Sequence, residues 1–156
     1  MDLAADEMMP WATPLGYPSD KMSLKEIMMR KAIKANERLA FEELFYKNDF
    51  SSPLTKDEAS DFLFPLEMVR LAPSAVNKQP WRVVITDNAA HFYLKRKNSG
   101  NSDSEIVMQK VDMGIALCHF ELAAKEMGFN LIFSLDIPEI NTDNDLEYIA
   151  SYIVQN

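Results

Sequence analysis

Residues 71–85 have the sequence Leu71-Ala72-Pro73-Ser74-Ala75-Val76-Asn77-Lys78-Gln79-Pro80-Trp81-Arg82-Val83-Val84-Ile85, which is the most informative stretch of the chain. An amphipathic run ends at Ala72, because a proline disfavours the helical conformation of the residue before it. Small polar residues then expose backbone N–H and C=O groups, and Pro80 forces an extended exit beside Trp81. We expect a rigid turn that offers backbone donors, one amide side chain and one aromatic wall. Such a turn suits a flat ligand with heteroatoms at its edge.

The residues before this stretch are predicted to be mainly loop and helix. Residues 1–22 are rich in proline and are expected to form a loop. Ser23-Leu24-Lys25-Glu26 is a capping box that begins a helix ending at about Asn36. Thr55-Lys56-Asp57-Glu58 is a second capping box, and its helix should be interrupted by Pro65 and then resume up to the quoted stretch.

The residues after the stretch are predicted to form a hairpin, a long helix and two more strands. The expected strands are 82–86, 92–97, 131–135 and 148–154, and the expected helix is 105–127. This helix carries two apolar stripes, so it should be buried on two faces, and Gly128 is a natural C-terminal stop. Helices and strands intermix without regular βαβ units. The sequence therefore predicts an α+β fold, in which an antiparallel or mixed sheet packs on helices in one domain over residues 1–156.

Composition excludes several classes of function. The net charge is −8 and the isoelectric point is near 4.7, whereas nucleic acids and acidic membranes need a basic face on the protein. No apolar run approaches the ~20 residues that span a bilayer, and the acidic N-terminus is unlike a signal peptide. A single cysteine fits a reducing cytoplasm, where we expect the protein. The four glycines form neither a Rossmann fingerprint nor a P-loop.

Three motifs resemble the FMN-dependent nitroreductase family. The quoted stretch matches the family's Pro-Ser-x-x-Asn-x-Gln-Pro-Trp loop at every defining position. Asp112-Met113-Gly114-Ile115-Ala116, running on to residues 122–128, is similar to the family's long interface helix. Pro14-Leu15-Gly16-Tyr17-Pro18 is similar to its Pro-x-Gly strand. The resemblance implies the same α+β layout, with the long helix buried at a dimer or pseudo-dimer interface.

The motifs occur in an unusual order. In an ordinary family member the Pro-x-Gly element follows the long helix, but residues 14–18 precede both other motifs here. The family's Arg-Arg-Ser-x-Arg phosphate grip is absent. One branch of the family carries two degenerate halves in a single chain, as an internal pseudo-dimer. The chain resembles the end of such a first half (1–50) followed by a second half (51–156), so we expect a truncated or split product.

The resemblance implies that Pro73, Ser74, Ala75 and Asn77 contact the flavin ring and that Arg38 binds the FMN phosphate. Donors near the ring heteroatoms stabilise reduced, anionic flavin, and an arginine fork donates two parallel hydrogen bonds to an oxyanion. The residues alone leave a different interpretation open for each group. The loop could be a helix-ending turn whose side chains satisfy its own backbone, and Arg38 a solvated charge at a helix C-terminus.

No catalytic or metal-binding residue is assigned. Cys118 and His119 are adjacent on the long helix and point about 100° apart, so Cys118 is expected to be a small buried hydrophobe. His91 has no second histidine or cysteine at metal-ligand spacing. Asp112 is expected to border a close helix contact at Gly114.

Two functions are compatible with these residues and motifs. The first is a flavin oxidoreductase of the nitroreductase type, in which FMN takes hydride from NAD(P)H and reduces a small-molecule acceptor in a ping-pong cycle. The expected assembly is a homodimer or a pairing with a complementary half-chain. The second is a non-catalytic or truncated half-protein, which folds and dimerises but needs a partner segment to bind FMN.

Overall fold

The computed structural model describes residues 15–17, 19, 21–96 and 103–155, which form an α+β architecture. The helices are α1 (Leu24–Ala32), α2 (Phe41–Leu44), α3 (Leu63–Leu71) and α4 (Asp103–Glu126). The strands are β1 (Phe45–Lys47), β2 (Trp81–Ile85), β3 (Ala89–Lys95), β4 (Asn130–Ser134) and β5 (Leu146–Gln155). Short 3₁₀ turns occupy Ser60–Phe62 and Ala75–Asn77. No described helix is both long and apolar enough to cross a bilayer.

The five strands form one mixed sheet in the order β1-β2-β3-β5-β4. β1 runs parallel to β2, and all other neighbours are antiparallel. β2 and β3 form the predicted hairpin, in which Trp81 pairs with Leu94 and Ile85 with Ala90. The predicted α+β class with a mixed sheet on helices is therefore confirmed.

One face of the sheet packs on α3 and α4, and the core lies between them. Alternate residues of β2 and β3 face this core, where Phe92 contacts Phe120 of α4 edge to face with ring centroids 5.4 Å apart. Trp81, Phe92 and Phe120 are fully buried. Each large apolar side chain of this kind contributes roughly 1.5–3 kcal/mol when it leaves water. The core therefore fixes the start of β2, and with it the end of the preceding loop.

The helices before the loop differ in part from the prediction. The Ser23 side chain accepts a hydrogen bond from the Glu26 N–H at 3.2 Å, as a capping residue should, but α1 ends at Ala32. The second capping box closes only one turn, and α3 begins at Leu63. Pro65 does not interrupt this helix. It lies in the first turn of α3, where its missing N–H would have had no helical partner.

The long helix α4 is buried along one stripe and open along the other. Met113, Phe120 and Ala124 are fully buried, whereas Leu122 is 64% exposed and Cys118 is also exposed. The expectation that Cys118 is buried is therefore wrong for the single chain. The second stripe is half-buried at Val111 and Ile115, and it faces outward at Cys118 and Leu122. Gly128 has φ +85° and ends the helix as predicted.

Parts of two predictions lie outside the described residues. They are the loop at residues 1–22 and the Pro-x-Gly element at residues 14–18, of which only residues 15–17, 19, 21 and 22 are described.

Candidate functional site

The loop between α3 and β2 has an unusual backbone. Ser74 is extended, whereas Val76, Asn77 and Gln79 have φ values of 53°, 54° and 47°. Asparagine tolerates this left-handed region, but a β-branched residue such as Val76 rarely adopts it. Strain of this kind costs of order 1–3 kcal/mol per residue and persists only where surrounding contacts enforce it.

Three hydrogen bonds from different parts of the chain enforce this conformation. The Ala75 N–H donates to Asp112 Oδ1 of α4 at 2.9 Å. The Gln79 N–H donates to Ser74 Oγ at 2.9 Å, which closes the loop on itself. The Leu39 N–H donates to Gln79 Oε1 at 2.9 Å, which ties the loop to the segment before α2. These bonds therefore hold Val76 in a backbone conformation that a β-branched residue disfavours.

Arg38 and Asn77, predicted at opposite ends of the ligand, contact each other. Arg38 Nη1 donates to Asn77 Oδ1 at 3.2 Å and to the carbonyl oxygens of Ala35 and Glu37. Asn77 Nδ2 donates to the carbonyl oxygens of Lys34 at 2.7 Å and Glu37 at 3.0 Å. Both side chains thus stabilise the loop against the turn that follows α1.

Backbone donors remain available on the loop. The N–H groups of Ser74 and Val76 form no hydrogen bond with any described residue, whereas those of Ala75, Asn77 and Gln79 are all bonded within the protein. The Val76 side chain is 61% exposed and adds little to the core. The loop can therefore offer two N–H donors and an apolar surface to a ligand, and the backbone rather than the polar side chains provides its hydrogen bonds.

Asp112 is a site residue for which the sequence predicted another role. It is 2% exposed, and burial raises the pKa of its carboxyl group. Its Oδ2 atom has no hydrogen-bond partner among the described residues. The expected close helix contact at Gly114 is absent from the described chain, since a Cβ built there would meet no atom within 4 Å. The sequence did contain a signal for this role. Asp112 lies on the buried stripe of a helix, and a buried carboxylate needs a hydrogen-bond donor from another part of the chain.

The remaining candidate polar groups lie away from the loop. His91 Nδ1 lies 2.6 Å from Ser151 Oγ, which lies 2.9 Å from Tyr148 Oη, and this hydrogen-bonded series connects β3 to β5. His119 Nδ1 lies 3.1 Å from the Met68 carbonyl oxygen. Within residues 15–17, 19, 21–96 and 103–155, no three His, Cys, Asp or Glu side chains converge as a metal site would require.

The mixed sheet packed on helices and the long helix are the layout that the resemblance to the nitroreductase family implies. The family described as "Putative TM nitroreductase" matches residues 1–124, which are 124 of the 156 residues, and the chain belongs to this family. The match includes the loop, Arg38 and Asp112. Membership indicates a general oxidoreductase-type function. Neither the curated proteins nor the solved structures include a match to the chain.

Proposed function

We propose that the chain is an FMN-dependent oxidoreductase of the nitroreductase type, with the flavin ring bound at the loop by Pro73, Ser74, Ala75 and Asn77. FMN would accept a hydride from NAD(P)H and pass the electrons to a small-molecule acceptor in the same slot. The protein would bind and orient the ring and exclude water from it. Arg38 is proposed to reach the FMN phosphate.

The conformation of the loop is the observation that supports this proposal. A flavin ring carries acceptor atoms along one edge, and the N–H groups of Ser74 and Val76, which form no hydrogen bond with a described residue, are suitable donors for them. Because the loop is already held by Asp112 and Gln79, these donors need no rearrangement when a ligand arrives. Backbone strain occurs preferentially at ligand-binding sites, where it serves this kind of preorganisation.

The assembly is proposed to be a homodimer, or a pairing with a complementary half-chain, through α4. The outward part of this helix exposes Cys118 and Leu122, which lie four residues apart on one face. Beside it, a groove of about 350 Å³ lies between α3 and α4 and is lined in part by Phe64 and Met68. An apolar helix face of this kind is typical of an interface between chains.

One observation favours the second candidate function, a half-protein that holds no cofactor alone. The terminal nitrogens of Arg38 already donate to four protein oxygens, those of Ala35, Glu37, Leu71 and Asn77. An FMN phosphate would have to displace some of these contacts, and each charge-assisted hydrogen bond contributes about 1.5–3 kcal/mol. A partner segment would then have to supply the phosphate contacts.

The visible absorbance spectrum of the chain, after incubation with FMN and removal of free flavin, tests the proposal. Retained flavin bands with altered fine structure are the expected result. Folded but colourless protein would overturn autonomous binding and favour the half-protein.

A loop variant tests the position of the flavin. Val76→Glu places a charge on an exposed side chain, so the fold should persist while FMN binding weakens by about tenfold or more. Leu24→Glu on α1, where the leucine is 80% exposed, is the matched control and should bind FMN normally. If both variants bind FMN equally well, the flavin does not bind at this loop.

A further inference from the structure

A basic cavity opens directly behind the loop. It has a volume of about 310 Å³ and lies between residues 78–80, the start of β2, the end of β3 and the first half of α4. Its polar lining includes the four cations Lys78, Arg82, Lys95 and Arg96 and no acidic side chain among the described residues. A chain with 24 acidic and 16 basic residues would not concentrate cations in one cavity by composition alone. The lining is therefore richer in cations than the chain as a whole, while the carboxylates that pair with Lys95 and Arg96, those of Asp145 and Glu147, lie outside it.

Arg82 places a charge in the wall of this cavity. Its Nη1 atom donates to the carbonyl oxygens of Gln79 at 3.1 Å and Trp81 at 2.6 Å. These carbonyl groups orient the guanidinium but bring no formal negative charge to it. Burial lowers the pKa of Arg82. The nearby carboxylates of Glu43 and Asp145 favour the charged guanidinium, but they offset the effect of burial only in part. An oxyanion in the cavity would therefore stabilise the charged form of the Arg82 guanidinium.

Lys95 and Arg96 lie at the rim, where they form replaceable ion pairs. Lys95 Nζ is 3.9 Å from Asp145, and its side chain is 50% exposed. Arg96 pairs with Glu147, which Lys110 also approaches at 3.6 Å. Both cations are about half exposed and their carboxylate partners 22% and 29% exposed, and ion pairs at the surface contribute about 0–1 kcal/mol, so a ligand can compete with them. Both side chains can turn to an anion without disturbing the core.

We propose that this cavity binds the phosphate group of a small organic phosphate, with Arg82 in the wall and Lys95 and Arg96 at the rim. Arginine and lysine together provide both the planar fork and the mobile point charge that phosphate sites use. The volume is about ten times the ~30 Å³ share of one water molecule, so the ligand extends beyond the phosphate itself. The phosphate belongs either to a separate phosphorylated molecule or to FMN at the neighbouring loop, and in the second case this cavity takes the place proposed above for Arg38, which does not line it.

Titration of the whole chain with inorganic phosphate tests the site without reference to flavin. Binding is followed by calorimetry up to about 10 mM phosphate, at constant ionic strength set with sodium chloride so that general screening is unchanged. The double variant Lys95→Gln/Arg96→Gln should bind phosphate about tenfold more weakly or worse. Lys56→Gln is the matched control, since Lys56 is a similarly exposed, ion-paired lysine remote from the cavity lining, and it should bind like the parent chain.

Two results would overturn the proposal. One is the absence of saturable phosphate binding in the parent chain. The other is equal binding by the double variant and the Lys56→Gln control. Circular dichroism of each variant establishes whether it is folded. If the double variant is not folded, the single substitution Lys95→Gln is measured in its place.

Competition identifies the source of the phosphate. If FMN displaces inorganic phosphate and riboflavin does not, the cavity holds the phosphate of FMN. If phosphate binding persists with FMN bound, or in a chain that binds no FMN, the ligand is a separate phosphorylated molecule. The cavity proposal therefore remains testable even if the flavin proposal fails.

Discussion

Asp112 connects the buried stripe of α4 to the strained loop through a single hydrogen bond. Its Oδ1 atom accepts from the Ala75 N–H, while its Oδ2 atom is buried without a partner among the described residues. The two oxygens thus have opposite effects on stability. The first satisfies a backbone donor, and the second retains the cost of burying a charge. The residue therefore sets the position of the loop at some expense to the fold.

Two substitutions of Asp112 separate these effects. Asp112→Ala should lower the free energy of unfolding by about 1–3 kcal/mol, because the Ala75 N–H loses its acceptor. Asp112→Asn keeps an acceptor and removes the charge, so it should be close to neutral or stabilising. Burial raises the pKa of Asp112, so the folded state binds this proton more tightly and the advantage of asparagine should grow as pH rises. Urea denaturation at acid and neutral pH measures both variants; equal losses would show that the two oxygens do not act in this way.

His91 should make the protein sensitive to mild acid. Burial lowers the pKa of its imidazole, which contacts Ser151 and Thr86. Below the unfolded pKa of about 6.5, the unfolded chain takes up a proton that the folded state resists, so stability should fall as pH drops from about 7 towards 5. His91→Gln should flatten this dependence in thermal denaturation, whereas His119→Gln, which replaces the other histidine, should retain it. A slope unchanged by His91→Gln would exclude this histidine as the cause.

At the scale of an element, the end of α4 depends on one glycine. Gly128 has φ +85°, and its N–H donates to the Lys125 carbonyl oxygen at 2.9 Å. Gly128→Ala should lower stability by about 1–2 kcal/mol, because a Cβ disfavours the left-handed conformation even where space is free. Gly128→Asn should cost less, since asparagine tolerates that region. Thermal unfolding compares the two, and an equal loss would indicate a cause other than backbone conformation.

The sequence predicted elements better than it predicted contacts. The hairpin, the long helix and its glycine stop were all recognisable, because each depends on local periodicity or on one residue's backbone preference. The end of α1 and the role of Pro65 were missed, since a local pattern does not say where tertiary contacts begin a helix. The bond between Asp112 and Ala75, 37 residues apart, could not be inferred from either neighbourhood. The predicted flavin contacts themselves remain a prediction.

At the scale of the whole molecule, the polar and apolar surfaces serve different purposes. The loop, the basic cavity and Asp112 adjoin one another, since residues 78–80 line the cavity and Asp112 follows Gln109 by one turn of α4. The apolar groove lies further along the same helix, beside Leu122. A second chain docked on that groove would therefore share α4 with the proposed binding site. Assembly and ligand binding should then be coupled through this helix.

The oligomeric state of two variants tests whether α4 forms the interface, which is the condition for this coupling. The proposed dimer should bury the outward stripe of α4, and a stable interface removes about 800 Å² per partner from water. Leu122→Glu introduces a charge at the exposed C-terminal end of this stripe, where the leucine is 64% exposed, so the variant should sediment as a monomer while remaining folded. Leu135→Glu is the matched control, because that leucine is 67% exposed and follows β4 instead. If Leu135→Glu dissociates the dimer and Leu122→Glu does not, the interface lies at the sheet edge and α4 does not couple assembly to binding.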